Sequence, residues 1–245
     1  MPLIPGIIDS SKSKGPIAGY SVWLDASDAS TFTYSSGSVV SQWSDKSVNG
    51  NNATMATVSA QPSRVTNILN GLPVVRFDGT TDVMDLPGAT LSNKTSFSMF
   101  WVMVPRALGS NYYPSISGID GSNDVGAFHF INSSAKGASY PFYGNGASGW
   151  GTYDGTSSLT YSVGTGYEME FHANGSTFNV IRGGTTEGSG AVGSAQPFSV
   201  VRIANQNSIP RFAQFDFAEI LIYPTVLSAP NQASVRSYLQ TKWAV

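Results

Sequence analysis

The chain contains no cysteine, which excludes disulfide scaffolds, thiolate metal sites and cysteine nucleophiles together. Histidine occurs only twice, and without cysteine that argues against a zinc or other transition-metal centre. Charged residues are 11% of the 245, against about 25% in ordinary globular chains. The 13 Lys and Arg nearly balance the 15 Asp and Glu, for a formal net charge of -2. No basic block is present to neutralise a phosphate backbone, so nucleic acid is not an expected partner. Long apolar runs are missing as well. The opening MPLIPGIIDSSKSKG is broken by Pro2 and Pro5 and has no basic residue before its short apolar stretch. It reads neither as a secretion signal nor as a membrane anchor, and no membrane insertion is expected. The glycine-dense segments lack the following helix and the Lys-Ser/Thr pair that grips phosphate, and no serine sits in a convincing nucleophile elbow.

What the chain has in quantity is glycine, 26 residues, and aromatic rings, 12% of the total. With abundant Ser, Thr and Asn, that mixture describes many short strands joined by neutral turns. Alternation with a period of two marks YSVWLDA, SVVSQWS, LPVVRFD, DVGAFHFIN, TGYEMEFHA, STFNVIRGG, FSVVRIAN and FAQFDFAEILIY. SFSMFWVMV, residues 96–104, is apolar on both faces and belongs mid-sheet or beneath a covering element. Helical periodicity appears only at the C-terminus, where Ser228 can cap a helix placing Val235, Leu239 and Trp243 on one side. The expected fold is all-β, a two-sheet antiparallel jelly-roll sandwich closed by a short C-terminal helix. Residues 20–245 form the sandwich domain. Residues 1–19, punctuated by Pro and Gly, form a separate segment, either a frayed leader or a docking arm that buries Leu3, Ile4, Ile7 and Ile8 against a partner.

Three sets of residues are candidates for chemistry. Asp45, Asn49 and Asn51, in WSDKSVNGNNAT, could join Asp78 or Asp82 of FDGTTD around calcium, which takes six to eight oxygen ligands. The competing reading gives those side chains to their own turns, with Asn49-Gly50 and Asp78-Gly79 supplying the bends. In YEMEFH the period of two puts Glu168, Glu170 and His172 on one strand face. Paired carboxyls of that kind recur in glycosidases, at separations of about 5–5.5 Å or 6.5–9.5 Å. A solvated face alternating with an apolar one explains all six residues without catalysis, so no catalytic residue is assigned. His129, in GAFHFIN, has no partner legible in the sequence. Tyr112, Tyr113, Tyr140, Phe142, Tyr143, Trp150 and Tyr153 offer rigid aromatic area for a glycan or protein surface, the alternative being a satellite core under long loops.

The ordered series VWLDASDASTF, VSQWSDKSVNGNNAT, QPSRV, NGLPVVRFDGTTDVMDL and DFAEILIYPTVLSAPNQASVRSYLQTKW resembles the concanavalin A-like, laminin G-like domains of bacteriophage and bacterial structural and adhesion proteins. That resemblance implies a jelly roll whose members bind glycans, proteins or calcium. With the candidate sites weighed as above, the preferred expectation is a bacteriophage virion structural protein (capsid decoration, tail or fibre) that is not an enzyme. Such a protein would assemble in the host cytoplasm and be exposed on the particle surface, touching other virion proteins through the arm and weakly attaching to host-cell glycans, with an oligomer an open possibility. A carbohydrate-binding adhesin module is the alternative, and a polysaccharide hydrolase a more distant one.

Overall fold

A computed structural model of the chain describes residues 16–108, 113–120, 123–131, 135–140, 159–192, 195, 197–206 and 211–245. The strands are β1 (Val22–Asp25), β2 (Phe32–Ser36), β3 (Val39–Trp43), β4 (Ala53–Thr54), β5 (Ser63–Leu69), β6 (Leu72–Arg76), β7 (Met84–Pro87), β8 (Ser96–Pro105) and β9 (Tyr113–Asp120). There follow β10 (Asn123–Ile131), β11 (Gly137–Tyr140), β12 (Tyr167–Asn174), β13 (Thr177–Arg182), β14 (Thr185–Ala191), β15 (Val200–Ile203), β16 (Asn205–Gln206), β17 (Arg211–Phe212) and β18 (Phe215–Tyr223). One α-helix, α1 (Ala229–Trp243), closes the chain.

All these pairings are antiparallel, and the large sheet runs β11-β10-β9-β15-β7-β4-β3-β5-β6-β18-β8-β12-β13-β14. A single residue pair, Val39 with Ser63, carries the path from β3 to β5. The sheet folds there into two layers whose inner faces pack on each other, as in a β-sandwich. Ring contacts mark the seam. Phe128 of β10 meets Phe97 of β8 at 5.7 Å and Phe171 of β12 at 5.5 Å between ring centroids.

Strand β8 shows why an unalternating apolar run is needed at the centre. It lies between β18 and β12, and every residue from Phe97 to Pro105 is buried. One face points into the sandwich. The other lies under α1, where Phe100 packs against His172 and Tyr223. The helix buries Val235, Leu239 and Trp243, the three residues its periodicity predicts. Ser228 holds the extended N-cap conformation, but its side chain makes no capping hydrogen bond. Pro230 in the first turn and the Gln232 Nε2 bond to the Leu227 carbonyl define the helix start instead.

The turns follow local chemistry. Gly50 and Gly79 adopt φ of +67° and +77°, the left-handed region that glycine enters without steric cost. Asn49 does not share that conformation, so the bend at Asn49-Gly50 rests on the glycine alone. At the start of the described chain, Ile17 packs on the core and its carbonyl accepts a 2.8 Å bond from the Tyr223 hydroxyl. Leu3, Ile4, Ile7 and Ile8 lie outside the described residues.

Candidate functional site

Low charge overall does not mean an apolar interior: Glu168, Glu170, Glu187, Glu219, His129 and His172 are all buried. They fall into two groups on opposite sides of β12 and a third at the end of α1.

The first group is a chain of four side chains from four segments of the sequence. Ser115 on β9 lies 2.9 Å from His129 Nδ1 on β10, and its hydroxyl also reaches the His129 carbonyl at 3.1 Å. His129 Nε2 is 3.0 Å from the Tyr161 hydroxyl, which is 2.8 Å from Glu187 Oε2 on β14. Arg182 on β13 approaches Glu187 Oε1 at 3.1 Å and lays its guanidinium over the Tyr161 and Tyr167 rings. Burial, with Arg182 adding to it, holds His129 down to about 3, so the ring is neutral. Burial pushes the Glu187 carboxyl up, opposed by the Tyr161 bond and Arg182. Backbone fits closely over this chain. A Cβ on Gly137 of β11 would come within 2.3 Å of Glu187 Oε2, so any larger residue there would displace the carboxylate.

The second group lies on the far face of β12. Glu170 accepts from Arg236 of α1 at 2.5 Å and pairs with His172 Nε2 at 2.6 Å. His172 Nδ1 meets Ser98 Oγ at 2.8 Å, and that oxygen accepts from the Leu227 amide. Glu168 is buried with neither side-chain oxygen hydrogen-bonded. Burial and then the Glu170 charge push its carboxyl well above the usual range. The face expected to be solvated is therefore a covered one. The alternation gives the two faces correctly, but α1 and not water lies over the polar side.

The third group ties down α1. Glu219 of β18 accepts from the Trp23 indole at 2.7 Å, Tyr238 at 2.8 Å, Lys242 at 2.7 Å and the Trp243 indole at 2.8 Å. Lys242 also bonds Asp25.

The five calcium candidates do not form one ligand set. Asp45 spends its carboxylate on the amides of Trp23, Ser47 and Asn51 and on the Ser47 hydroxyl. Asn49 and Asn51 donate to the Ser21 carbonyl. Asp78 caps the amides of Thr80, Thr81 and Asp82, while Asp82 takes the Asp78 amide. These contacts hold Asp78 below its usual range, and burial followed by the Asp78 charge raises Asp82 to about 6. The loops also sit at different ends of β18. Trp23 pairs with Leu221, whereas Gly79 packs on Gln214, seven residues away and roughly 23 Å at about 3.3 Å per residue. Among the described residues no group of three or more His, Asp or Glu side chains is placed to hold a metal.

Of the aromatic candidates, Tyr113 opens β9 and Tyr140 closes β11, the strands flanking β10. Tyr112, Phe142, Tyr143, Trp150 and Tyr153 lie outside the described residues. Sequence reasoning missed Tyr161, Arg182 and Glu187. The available signal was one acid, Glu187, alone in the small neutral strand TTEGSGA.

No family model and no curated protein sequence matches the chain. Its fold is shared with solved structures. A Trypanosoma rangeli sialidase in complex with sialic acid aligns with a TM-score of 0.64 and 16% identity, over 93% of this chain and 34% of that one. An arabinofuranosidase complexed with arabinofuranosyl-alpha-1,2-xylobiose aligns with a TM-score of 0.59 and 13% identity, over 84% and 51%. The receptor binding domain of botulinum neurotoxin type G aligns with a TM-score of 0.56 and 10% identity, over 92% and 52%. The chain thus spans about a third to a half of these proteins' length. At such identities the likeness establishes the β-sandwich and nothing finer. One expectation is corrected: the assignment of the chain as not an enzyme does not stand, because the fold it shares is also that of a sialidase and an arabinofuranosidase.

Proposed function

We propose that the chain is a carbohydrate-recognition β-sandwich, with strands β9 to β11, which carry Tyr113 and Tyr140, as its binding side. The observation that supports this reading is the sandwich itself, shared over most of this chain with structures of a sialidase in complex with sialic acid, an arabinofuranosidase complexed with arabinofuranosyl-alpha-1,2-xylobiose and a neurotoxin receptor binding domain. A sequence low in charge and rich in Tyr, Asn and Ser suits sugars, whose rings stack on aromatic faces while their hydroxyls exchange hydrogen bonds with neutral groups. A glycan array with the full chain tests it. Selective binding that weakens at least tenfold in Tyr113→Ala or Tyr140→Ala supports the reading, and absence of binding across the array refutes it. Incubation of each bound glycan with the chain, followed by analysis for released sugar, reports whether recognition is accompanied by cleavage.

A second reading rests on the ordered motif series and on residues 1–19. In it the sandwich is displayed on a bacteriophage virion, held by the segment containing Leu3, Ile4, Ile7 and Ile8, and multivalent display makes weak glycan binding effective. Deletion of residues 1–15 is then expected to abolish incorporation into particles while leaving glycan binding intact. Unchanged incorporation would refute the docking role.

A further inference from the structure

The chain Ser115, His129, Tyr161 and Glu187 has a property that follows from counting protons. His129 is neutral, so one ring nitrogen donates and the other accepts. Tyr161 has one proton to donate and Ser115 has one. With Glu187 ionised, its Oε2 must accept from Tyr161 at 2.8 Å. The tyrosine oxygen then accepts from His129 Nε2–H at 3.0 Å, and His129 Nδ1 accepts from Ser115 at 2.9 Å. Every donor is used once and all arrows run toward the carboxylate.

With Glu187 protonated, the proton belongs on Oε2, because Oε1 faces the Arg182 cation at 3.1 Å. Glu187 then donates to the tyrosine oxygen. Tyr161 must turn its proton elsewhere, and the His129 nitrogen at 3.0 Å is a far better acceptor than the Met169 sulfur at 3.4 Å. That makes Nε2 the acceptor and Nδ1 the donor. Ser115 now accepts from Nδ1 and donates to the His129 carbonyl at 3.1 Å, a contact already in place. Both arrangements pair the Ser115 and Tyr161 hydroxyls, both His129 ring nitrogens and Glu187 Oε2 with the same heavy-atom positions, and they differ by one proton. That proton resides on Glu187, with the others shifted one place along the chain.

We propose that these four side chains form a switchable hydrogen-bond relay, in which the proton on Glu187 sets the tautomer of His129 and the direction in which Ser115 donates. The relay connects β14 at one edge of the sheet to β9 and β10 on the opposing layer, and β11 covers it through Gly137. It therefore carries the ionisation state of Glu187 to the strands that hold Tyr113 and Tyr140, whatever those strands bind. The groups facing Glu187 are Arg182 from β13, Tyr161 from the segment before β12, His129 from β10 at 4.0 Å, and the backbone of β11 at Gly137, which follows Lys136. The raised Glu187 carboxyl and the lowered His129 ring place the proton exchange on the glutamate while the imidazole stays neutral.

Nitrogen NMR of the 15N-labelled full chain, followed from neutral to acidic pH, reads this directly, because protonated and unprotonated ring nitrogens resonate far apart. His129 and His172 are separated by through-bond assignment. The expected result is neutral His129 carrying its proton on Nε2 at neutral pH and on Nδ1 at acidic pH, with the same midpoint as the Glu187 carboxyl carbon. Glu187→Gln, whose amide oxygen faces Arg182 and whose NH2 faces Tyr161, is expected to hold the Nδ1–H tautomer at every pH. Tyr161→Phe is expected to leave one tautomer throughout. A single His129 tautomer over the whole pH range in which the wild-type fold persists, or conversion of His129 to imidazolium at the midpoint, would overturn the relay.

Discussion

Glu219 shows how one side chain can fix an entire terminus. Four donors from β1 and α1 converge on its two oxygens in a buried position, so removing it strands two indoles and a phenol and leaves the Lys242 ammonium to Asp25 alone. Glu219→Ala should cost about 3–5 kcal/mol of unfolding free energy, the range for breaking a buried charged pair from one side. Chemical denaturation of the variant measures it, and a loss below about 1 kcal/mol would show that the network tightens little. Asp45 makes a comparable local case. Its carboxylate already serves three amides and a hydroxyl, so Asp45→Ala should lose about 1.5–3 kcal/mol. A chelator should leave the melting temperature of the wild type unchanged, and a fall on chelation would return calcium to that loop. The residue types of this turn were legible in WSDKSVNGNNAT, but the separation of its loop from Asp78 depends on the register of β1 against β18, which no local pattern encodes.

The element that reorganises the sequence reading is α1. Its buried stripe is legible from the spacing of Val235, Leu239 and Trp243, and β8 announces a covering element through its two apolar faces. Which strand's polar face lies beneath the helix is a tertiary fact, so Glu168, Glu170 and His172 look like a solvated row until α1 is docked. That docking has a pH signature. The folded state keeps the Glu168 proton to a higher pH than the unfolded chain, whose carboxyl titrates near 4.5. The associated stabilisation is complete below that pH and is lost as pH rises through the raised folded value. Glu168→Gln should flatten the decline in stability from acidic toward neutral pH, as measured by denaturation at a series of pH values. An identical slope in wild type and variant would assign the dependence to other groups.

At the scale of the molecule, the strand runs, the antiparallel sandwich and the closing helix all follow from period-two alternation, glycine turns and one amphipathic segment. The inner polar chain does not follow, because Ser115, His129, Tyr161, Arg182 and Glu187 come from five separate places in the sequence and meet only when the two layers close. We propose that this closed sandwich recognises carbohydrate through the β9 to β11 side. The most direct test is titration of the 15N-labelled full chain with glycans selected on an array, read by backbone amide shifts. The account predicts saturable shifts concentrated in β9, β10, β11 and the segments joining them. Saturable shifts confined elsewhere, or none with any glycan, would contradict it.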